Sequence, residues 1–278
     1  MDYKTILVHC NDTARLPRLL EPAVALGGLF KAHVIGLSVT PPVRIITAGM
    51  PGAPDTIVLD EHCKTYRAQN PLMKAAFEQA ASARSVAAEW REAEAGSGSV
   101  AAAVLQYARA ADLILAAQAH PGWADSWHMD IADRLALKSG RPVLIIPNQG
   151  THPPVGKRIV LAWNGRREAA RAVFDALPLL RQAESVSLVQ IDPAHENGAE
   201  SFDALSDALD RHVIRYGSQV IKSTDGNVGH ALLGHCKSTD ADLLVMGCYG
   251  HSRLREIVFG GATRYVLASM TLPVLMSH

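Results

Sequence analysis

Short runs of consecutive apolar residues alternate along this chain with longer stretches in which apolar residues recur every three or four positions. The runs are strand-sized and the stretches helix-sized. In the second half, Arg158 to Trp163 predicts a strand. Across Arg167 to Leu180, Ala170, Val173, Phe174, Leu177 and Leu180 share one helical face. Ser185 to Ile191 predicts a strand, and Glu200 to Tyr216 an amphipathic helix through Phe202, Leu205, Leu209 and Val213. A weak strand over Gln219 to Ser223, a helix over Asn227 to Ser238 and a strand over Leu243 to Met246 follow. A helix through Arg264 to Ser269 and a last strand over Val274 to Met276 complete the series. The order βαβαβαβαβ predicts an α/β fold: a doubly wound parallel sheet with helices on both faces and right-handed crossovers.

The pattern occurs twice. Lys4 to Asn11 (KTILVHCN) resembles Lys157 to Asn164 (KRIVLAWN), ADLIL at Ala111 resembles ADLLV at Ala241, and RPVLI at Arg141 resembles LPVLM at Leu272. The matches keep their order, with a first offset of 153 residues and later offsets of 130 and 131. The first half therefore carries about 22 extra residues, placed in the Pro- and Gly-rich stretch Pro41 to Tyr66, which reads as a loop insertion. The segment NQGTHPPVG, Asn148 to Gly156, marks the boundary. Two tandem domains are expected, 1–150 and 151–278.

Charge narrows the function classes. Lys+Arg and Asp+Glu are 27 each, so the formal net charge is zero, which argues against a general nucleic-acid binder. No apolar run approaches the roughly 20 residues of a membrane-spanning helix, and the opening MDYKTILVHCN lacks the basic and apolar regions of a secretion signal. Cys10, Cys63, Cys236 and Cys248 are widely spaced without a CxxC pair, which predicts a reduced, cytoplasmic protein. Three histidines adjoin cysteines, but no HExxH or CxxC spacing predicts a metal site. No nucleophile elbow or catalytic triad is legible.

In doubly wound sheets ligands sit beyond the carboxyl ends of the strands, where the strand order reverses. The loops to examine in the second half begin at Asn164 and Gly247. The second reads Gly247-Cys-Tyr-Gly250-His251-Ser252, and its helix resumes after Gly260-Gly261-Ala262-Thr263. Glycines spaced G-x2-G-x9-G between a strand and a helix let backbone N–H groups close on a phosphate chain, helped by the helix N-terminus. The spacing is neither a P-loop nor a Rossmann fingerprint. Arg253, Arg255 and Arg264 flank it, and Asp192 and Asp225 follow neighbouring strands.

This segment, with the ILVHCN/IVLAWN, ADL and PVL repeats, resembles the universal stress protein family over essentially the whole chain. The resemblance implies five-stranded α/β domains paired through their last strands, and adenine nucleotide binding without a defined reaction. It assigns Gly247, Gly250 and Gly260 to the phosphate and ribose loop and Ile191 to the adenine; Gly261, Ala262 and Thr263 follow the last glycine, and His251, inside the loop, either contacts phosphate or is simply exposed. The family usually has Ser or Thr where Gly261 stands, and Asp where Asn164 stands; loss of that charge weakens a metal-mediated phosphate contact. In the first half the corresponding loop is Ala116-Ala117-Gln118-Ala119-His120, with Asp130 where the last glycine belongs. A carboxylate there repels phosphate, so no nucleotide is expected in the first half; Trp123, Trp127 and His128 are expected to plug its loop.

The resulting expectation is a cytoplasmic stress-response module holding ATP or a related adenine nucleotide, with or without Mg²⁺, in its second domain. Its partners would be the nucleotide, the other domain, a further protein and a second copy of the chain, with no membrane or nucleic acid. The alternatives are an interaction protein with a vestigial site and a slow ATPase.

Overall fold

A computed structural model of the chain describes residues 2–42, 44–46, 57–59, 61–123, 129–150, 155–192, 198–249 and 261–278. The first half contains β1 (Thr5–His9), α1 (Leu16–Phe30), β2 (His33–Thr40), β3 (Arg44–Ile46), β4 (Ile57–Leu59), α2 (Glu61–Ala83), β5 (Ala88–Glu94), α3 (Val100–Ala108), β6 (Leu113–Ala117), α4 (Ala132–Lys138) and β7 (Val143–Ile146). The second contains β8 (Arg158–Ala162), α5 (Arg167–Asp175), α6 (Leu177–Leu180), β9 (Ser185–Ile191), α7 (Gly198–Arg211), β10 (Gly217–Ile221), α8 (Val228–Ser238), β11 (Leu243–Gly247), α9 (Ala262–Ser269) and β12 (Val274–Ser277).

Ten strands form one sheet in the order β10-β9-β8-β11-β12-β7-β6-β1-β2-β5. Each half is internally parallel and doubly wound, and its order reverses between β1 and β6 or between β8 and β11. The halves meet where β12 pairs antiparallel with β7, Val274 opposite Ile145, Leu275 opposite Leu144 and Met276 opposite Val143. All six are fully buried. Central strands such as LILAA and VLII are buried at every position, as strands covered on both faces must be. The outer strands differ: β5 carries Glu89, Arg91, Glu92 and Glu94, and β10 is mostly exposed, which suits an edge.

Two apolar cores lie on opposite faces of the sheet. One packs α1, α2 and α5–α7 through residues such as Leu19, Phe77, Val173, Leu179 and Leu205. The other packs α3, α4, α8 and α9 through Val104, Leu135, Leu232 and Val266.

Three expectations need correction. The helix over 167–180 is two helices, because Pro178 supplies no N–H to continue the first. The helix expected over 200–216 runs from Gly198 to Arg211, and the strand expected over 219–223 lies at Gly217–Ile221. The insertion is not only a loop: β3 and β4 pair antiparallel within it, and α2 begins at Glu61.

The repeated Ala-Asp pair has a structural task. The Asp112 carboxylate accepts hydrogen bonds from the N–H groups of Lys4 and Thr5, at 2.8 and 2.9 Å. Asp242 accepts from Gly156, Lys157 and Arg158, at 2.8, 2.9 and 2.9 Å. Each aspartate thus ties the start of its half's fourth large strand to the start of the first, setting the register of the pair that flanks the switch point. Removing an acceptor from a buried donor costs about 1–3 kcal/mol. Asp242→Ala strands one buried and two part-buried donors, and Asp112→Ala one part-buried and one exposed donor. Urea denaturation is expected to show a loss of about 3 kcal/mol for Asp242→Ala and a smaller loss for Asp112→Ala; equal losses would contradict this account.

Candidate functional site

In the second half, the carboxyl ends of β8, β9 and β11 open beside the start of α9. The loop leaving β8 turns at Gly165, whose φ is +73° and where an added Cβ would lie 2.8 Å from Ser201 Oγ. Asn164 Oδ1 accepts a hydrogen bond from the Arg166 N–H at 3.1 Å, closing an Asx turn that delivers the chain into α5. Residues 164–167 are exposed. Glu168 is buried, and its carboxylate meets Arg167 Nε at 2.5 Å. Burial, the largest single influence, works against the Glu168 charge, but the Arg167 hydrogen bond, a backbone hydrogen bond and the charges of Arg167 and His278 together hold the carboxyl below its usual range.

Gly247 ends β11. An added Cβ there would lie 2.5 Å from both Ala169 N and Glu168 C, so this glycine is needed for the close approach of α5. Cys248 is buried, and Tyr249 takes a φ of +56° and donates its N–H to Thr263 Oγ1 at 3.2 Å. Thr263 therefore braces the loop after β11 against α9. The N-cap of α9 is Gly261, which offers no side chain, and its first turn has no acidic residue. The N–H groups of that turn have no carbonyl partner within the helix. Ile191, half-buried at the end of β9, packs on the core face shared with α8 and α9.

The structure thus places Asn164, Ile191, Gly247, Gly261, Ala262 and Thr263 at one end of the sheet. Gly250, His251 and Gly260 lie outside the described residues, as do Arg253 and Arg255. The other candidates serve the scaffold. Asp192 accepts from the Ser223 N–H at 3.1 Å and from the Ser223 hydroxyl, joining the loops after β9 and β10. Asp225 accepts from the Asn227 N–H at 2.9 Å and meets His230 Nδ1 at 2.7 Å; Asn227 caps α8 through the His230 N–H. His235 is buried beside Ser187 Oγ at 3.2 Å. All four cysteines are buried and unpaired with one another, and burial pushes the Cys10 and Cys236 thiols up to about 12, which keeps both protonated at neutral pH. No group of three metal-ligating side chains assembles among the described residues.

Sequence reading missed two contacts at this site. His278 Nδ1 lies 2.9 Å from Cys248 O, as Asn148 Nδ2 lies 3.2 Å from Gln118 O in the first half. Gln118 Nε2 crosses between halves to donate to Leu267 O of α9 at 2.8 Å. Only the repeat offset relating His278 to Asn148 could have signalled the former.

The same end of the first half is closed. Asp130, about 9 % exposed, accepts the His120 N–H at 2.6 Å and pairs with Arg15 Nη1 at 3.1 Å. Arg15 also donates to Asp12 and Gln118 O, both at 3.1 Å, and its guanidinium lies 4.5 Å from the centre of the Trp123 ring. Asn11 Nδ2 donates to Met129 O at 3.1 Å. A side-chain carboxylate thereby takes the backbone donor of the loop after β6. Trp123 packs there; Trp127 and His128 lie outside the described residues. His9 Nε2, Asn11 Oδ1 and Arg15 Nη2 are buried without a hydrogen-bond partner among the described residues.

Burial, with the nearby Arg15 charge, lowers the His9 pKa from 6.5 to about 3. The folded protein keeps this ring neutral while the unfolded chain takes up a proton below 6.5. Its contribution to stability is therefore present above that pH and is lost as pH falls toward 3. Denaturant midpoints across this window are expected to fall less steeply for His9→Gln than for the parent; parallel slopes would contradict the burial of a neutral ring.

Comparison with known proteins agrees with this architecture. The universal stress protein family matches residues 156–278. A universal stress protein of Synechocystis sp. is 40% identical over 50 residues, a match covering 18% of this chain and 17% of that protein. The crystal structure of a universal stress protein from Archaeoglobus fulgidus superposes with a TM-score of 0.74 at 12% identity, covering 98% of this chain and 95% of that one. A functionally unknown protein from Pseudomonas aeruginosa superposes at 0.60 with 15% identity, covering 99% and 92%. Residues 156–278 of this chain thus match the universal stress protein family, and the chain as a whole has the fold of the archaeal universal stress protein.

Proposed function

We propose that the second half is a regulatory binding module for an adenine nucleotide such as ATP. The phosphates lie at the start of α9 and beside the Asn164–Arg167 turn, and the adenine lies near Ile191. The halves act as domains 1–150 and 151–278, the first serving as a permanent partner that takes no nucleotide. No chemical step is assigned, and four buried cysteines that form no disulfide with one another support a cytoplasmic setting.

One contrast carries this reading. The corresponding helix starts of the two halves differ in charge. In the first half, Asp130 and Asp133 stand at the start of α4, and Asp130 already holds the His120 N–H. In the second half, α9 begins on Gly261 with no side-chain cap and no acidic residue in its first turn. Unsatisfied N–H groups and the positive end of a helix dipole favour an anion. The same end of the sheet is the ligand position of doubly wound folds.

A vestigial site is the second reading. It is favoured by Asn164, whose oxygen is engaged by Arg166, and by Gly247, whose smallness serves packing.

Equilibrium titration of the full chain with ATP decides between them. Saturable binding near one site per chain is expected, and Gly261→Asp, which puts a carboxylate at the N-cap of α9, is expected to abolish it. Gly261 has a φ of −51°, open to any residue, so this variant tests charge rather than backbone strain. Absence of saturable binding at millimolar ATP would leave the vestigial reading. Gly247→Ala is expected to lower the unfolding midpoint without any nucleotide present, because its Cβ collides with α5.

A further inference from the structure

Helix α9 spans eight residues, Ala262–Ser269. Isolated helices shorter than about 12–15 residues are marginal in water, so the contacts at its ends decide where it stands. Its first turn is anchored within the second half. Thr263 Oγ1 takes the Tyr249 N–H at 3.2 Å. An added Cβ at Gly229 of α8 would lie 2.9 Å from Ala262 O, so α8 packs closely on the same turn.

The last turn is held from the other half. In the first half the corresponding helix, α4, carries its own ending: Lys138 in the last turn, Ser139 Oγ accepting the Arg141 N–H at 3.1 Å, and Gly140 at a φ of +69°. α9 has no basic residue in its last turn, and its C-cap Met270 is extended, with φ −62° and ψ 138°. The Met270 N–H reaches Val266 O, and the next carbonyl, Leu267 O, is one of the four that a helix end leaves without an intrahelical partner. Leu267 O accepts Gln118 Nε2 at 2.8 Å. Gln118 is buried and fixed at its other polar atoms by its own half. Its Oε1 accepts the Asn148 N–H at 3.0 Å, its N–H reaches Ile146 O at 2.8 Å, and its carbonyl accepts from Arg15 and Asn148. The repeat places Cys248 at the position equivalent to Gln118, and a cysteine has no amide to reach across with.

We propose that Gln118 is a positioning residue for the second-half site: by capping the end of α9 from across the β7–β12 junction, it holds the start of that helix in place for an anion. This rests on the nucleotide reading above and adds the residue through which the first half controls the site. Gln118 touches no ligand and acts through α9, two helical turns that move as one body. The dependence is reciprocal: a ligand that favours the held position of α9 steadies the bond between Gln118 and Leu267 by the same factor.

The test is amide hydrogen exchange of the full chain, without ligand and with saturating ATP, beside ATP titration. Gln118→Met keeps the length of the side chain and loses the donor. Without ligand it is expected to speed exchange of the Val266–Met270 amides about tenfold, the worth of one hydrogen bond, and to leave β8 and β9 at parent rates. Gln118→Glu keeps the acceptor for the Asn148 N–H but turns an oxygen toward Leu267 O, and is expected to do the same. Gln118→Met is expected to bind ATP about tenfold more weakly than the parent. In the parent, ATP is expected to slow exchange of the Asn148 N–H, in the first half; in Gln118→Met it is expected to leave that rate unchanged. A merely structural role would not carry ligand protection across the junction. Parent rates at α9 in both variants, acceleration spread evenly over both halves, parent ATP affinity in Gln118→Met, or an Asn148 amide in the parent indifferent to bound ATP would each overturn this inference while leaving the nucleotide reading intact. Absence of saturable ATP binding by the parent would overturn the two together.

Discussion

The backbone pairing of β7 with β12 holds the molecule's plan in place. It is the antiparallel junction of two parallel five-stranded arrays, and it buries Leu144 against Leu275 at its centre. Covering that edge removes from each half the unpaired strand it would otherwise present to solvent. It also sets the two switch points on either side of the centre, between β6 and β1 and between β11 and β8. Two further bonds lock the arrangement: Tyr3 O–H to Asp175 O at 2.7 Å, and Gln118 Nε2 to Leu267 O at 2.8 Å.

Within this near-symmetric frame the two ligand ends diverge through few side chains. Asn11 and Asn164 stand at equivalent positions, yet one is buried against Met129 O and the other is exposed in an Asx turn. The first half has brought an anion inside the fold as Asp130 and neutralised it with Arg15. The second has kept small residues at its helix start and placed arginines in the loop from β8. The fold supplies the same framework to both ends, and local charge is where their described residues part.

Much of the fold was legible because central parallel strands are uninterrupted apolar runs. Ser185–Ile191 fell where the pattern put it. Boundaries slipped where a local backbone choice intervened: Val213 takes a φ of +60°, so α7 ends before the apolar spacing does. The edge strand β10 has too little burial to impose a pattern, and proline and glycine masked the β3–β4 pair. Of the site, the glycine spacing could be read, but not the reason for each glycine; Gly247 answers to α5, whose approach no local motif encodes. Asp130 stood out against the repeat, whereas its partner Arg15 lies 115 residues away in sequence and had no signal. Asp112 and Asp242 were visible only as repeat markers, because their task is long-range.

The central junction also governs what survives dissection. A fragment confined to 156–278 would lose β7 and uncover β12, whose Val274, Leu275 and Met276 are wholly buried in the intact chain. An apolar open edge is a template for strand addition, and the strand best matched to it is another β12 in the antiparallel register that β7 now occupies. The intact chain therefore carries, as a covalent pairing, an assembly that a single-domain version would have to reach by dimerising.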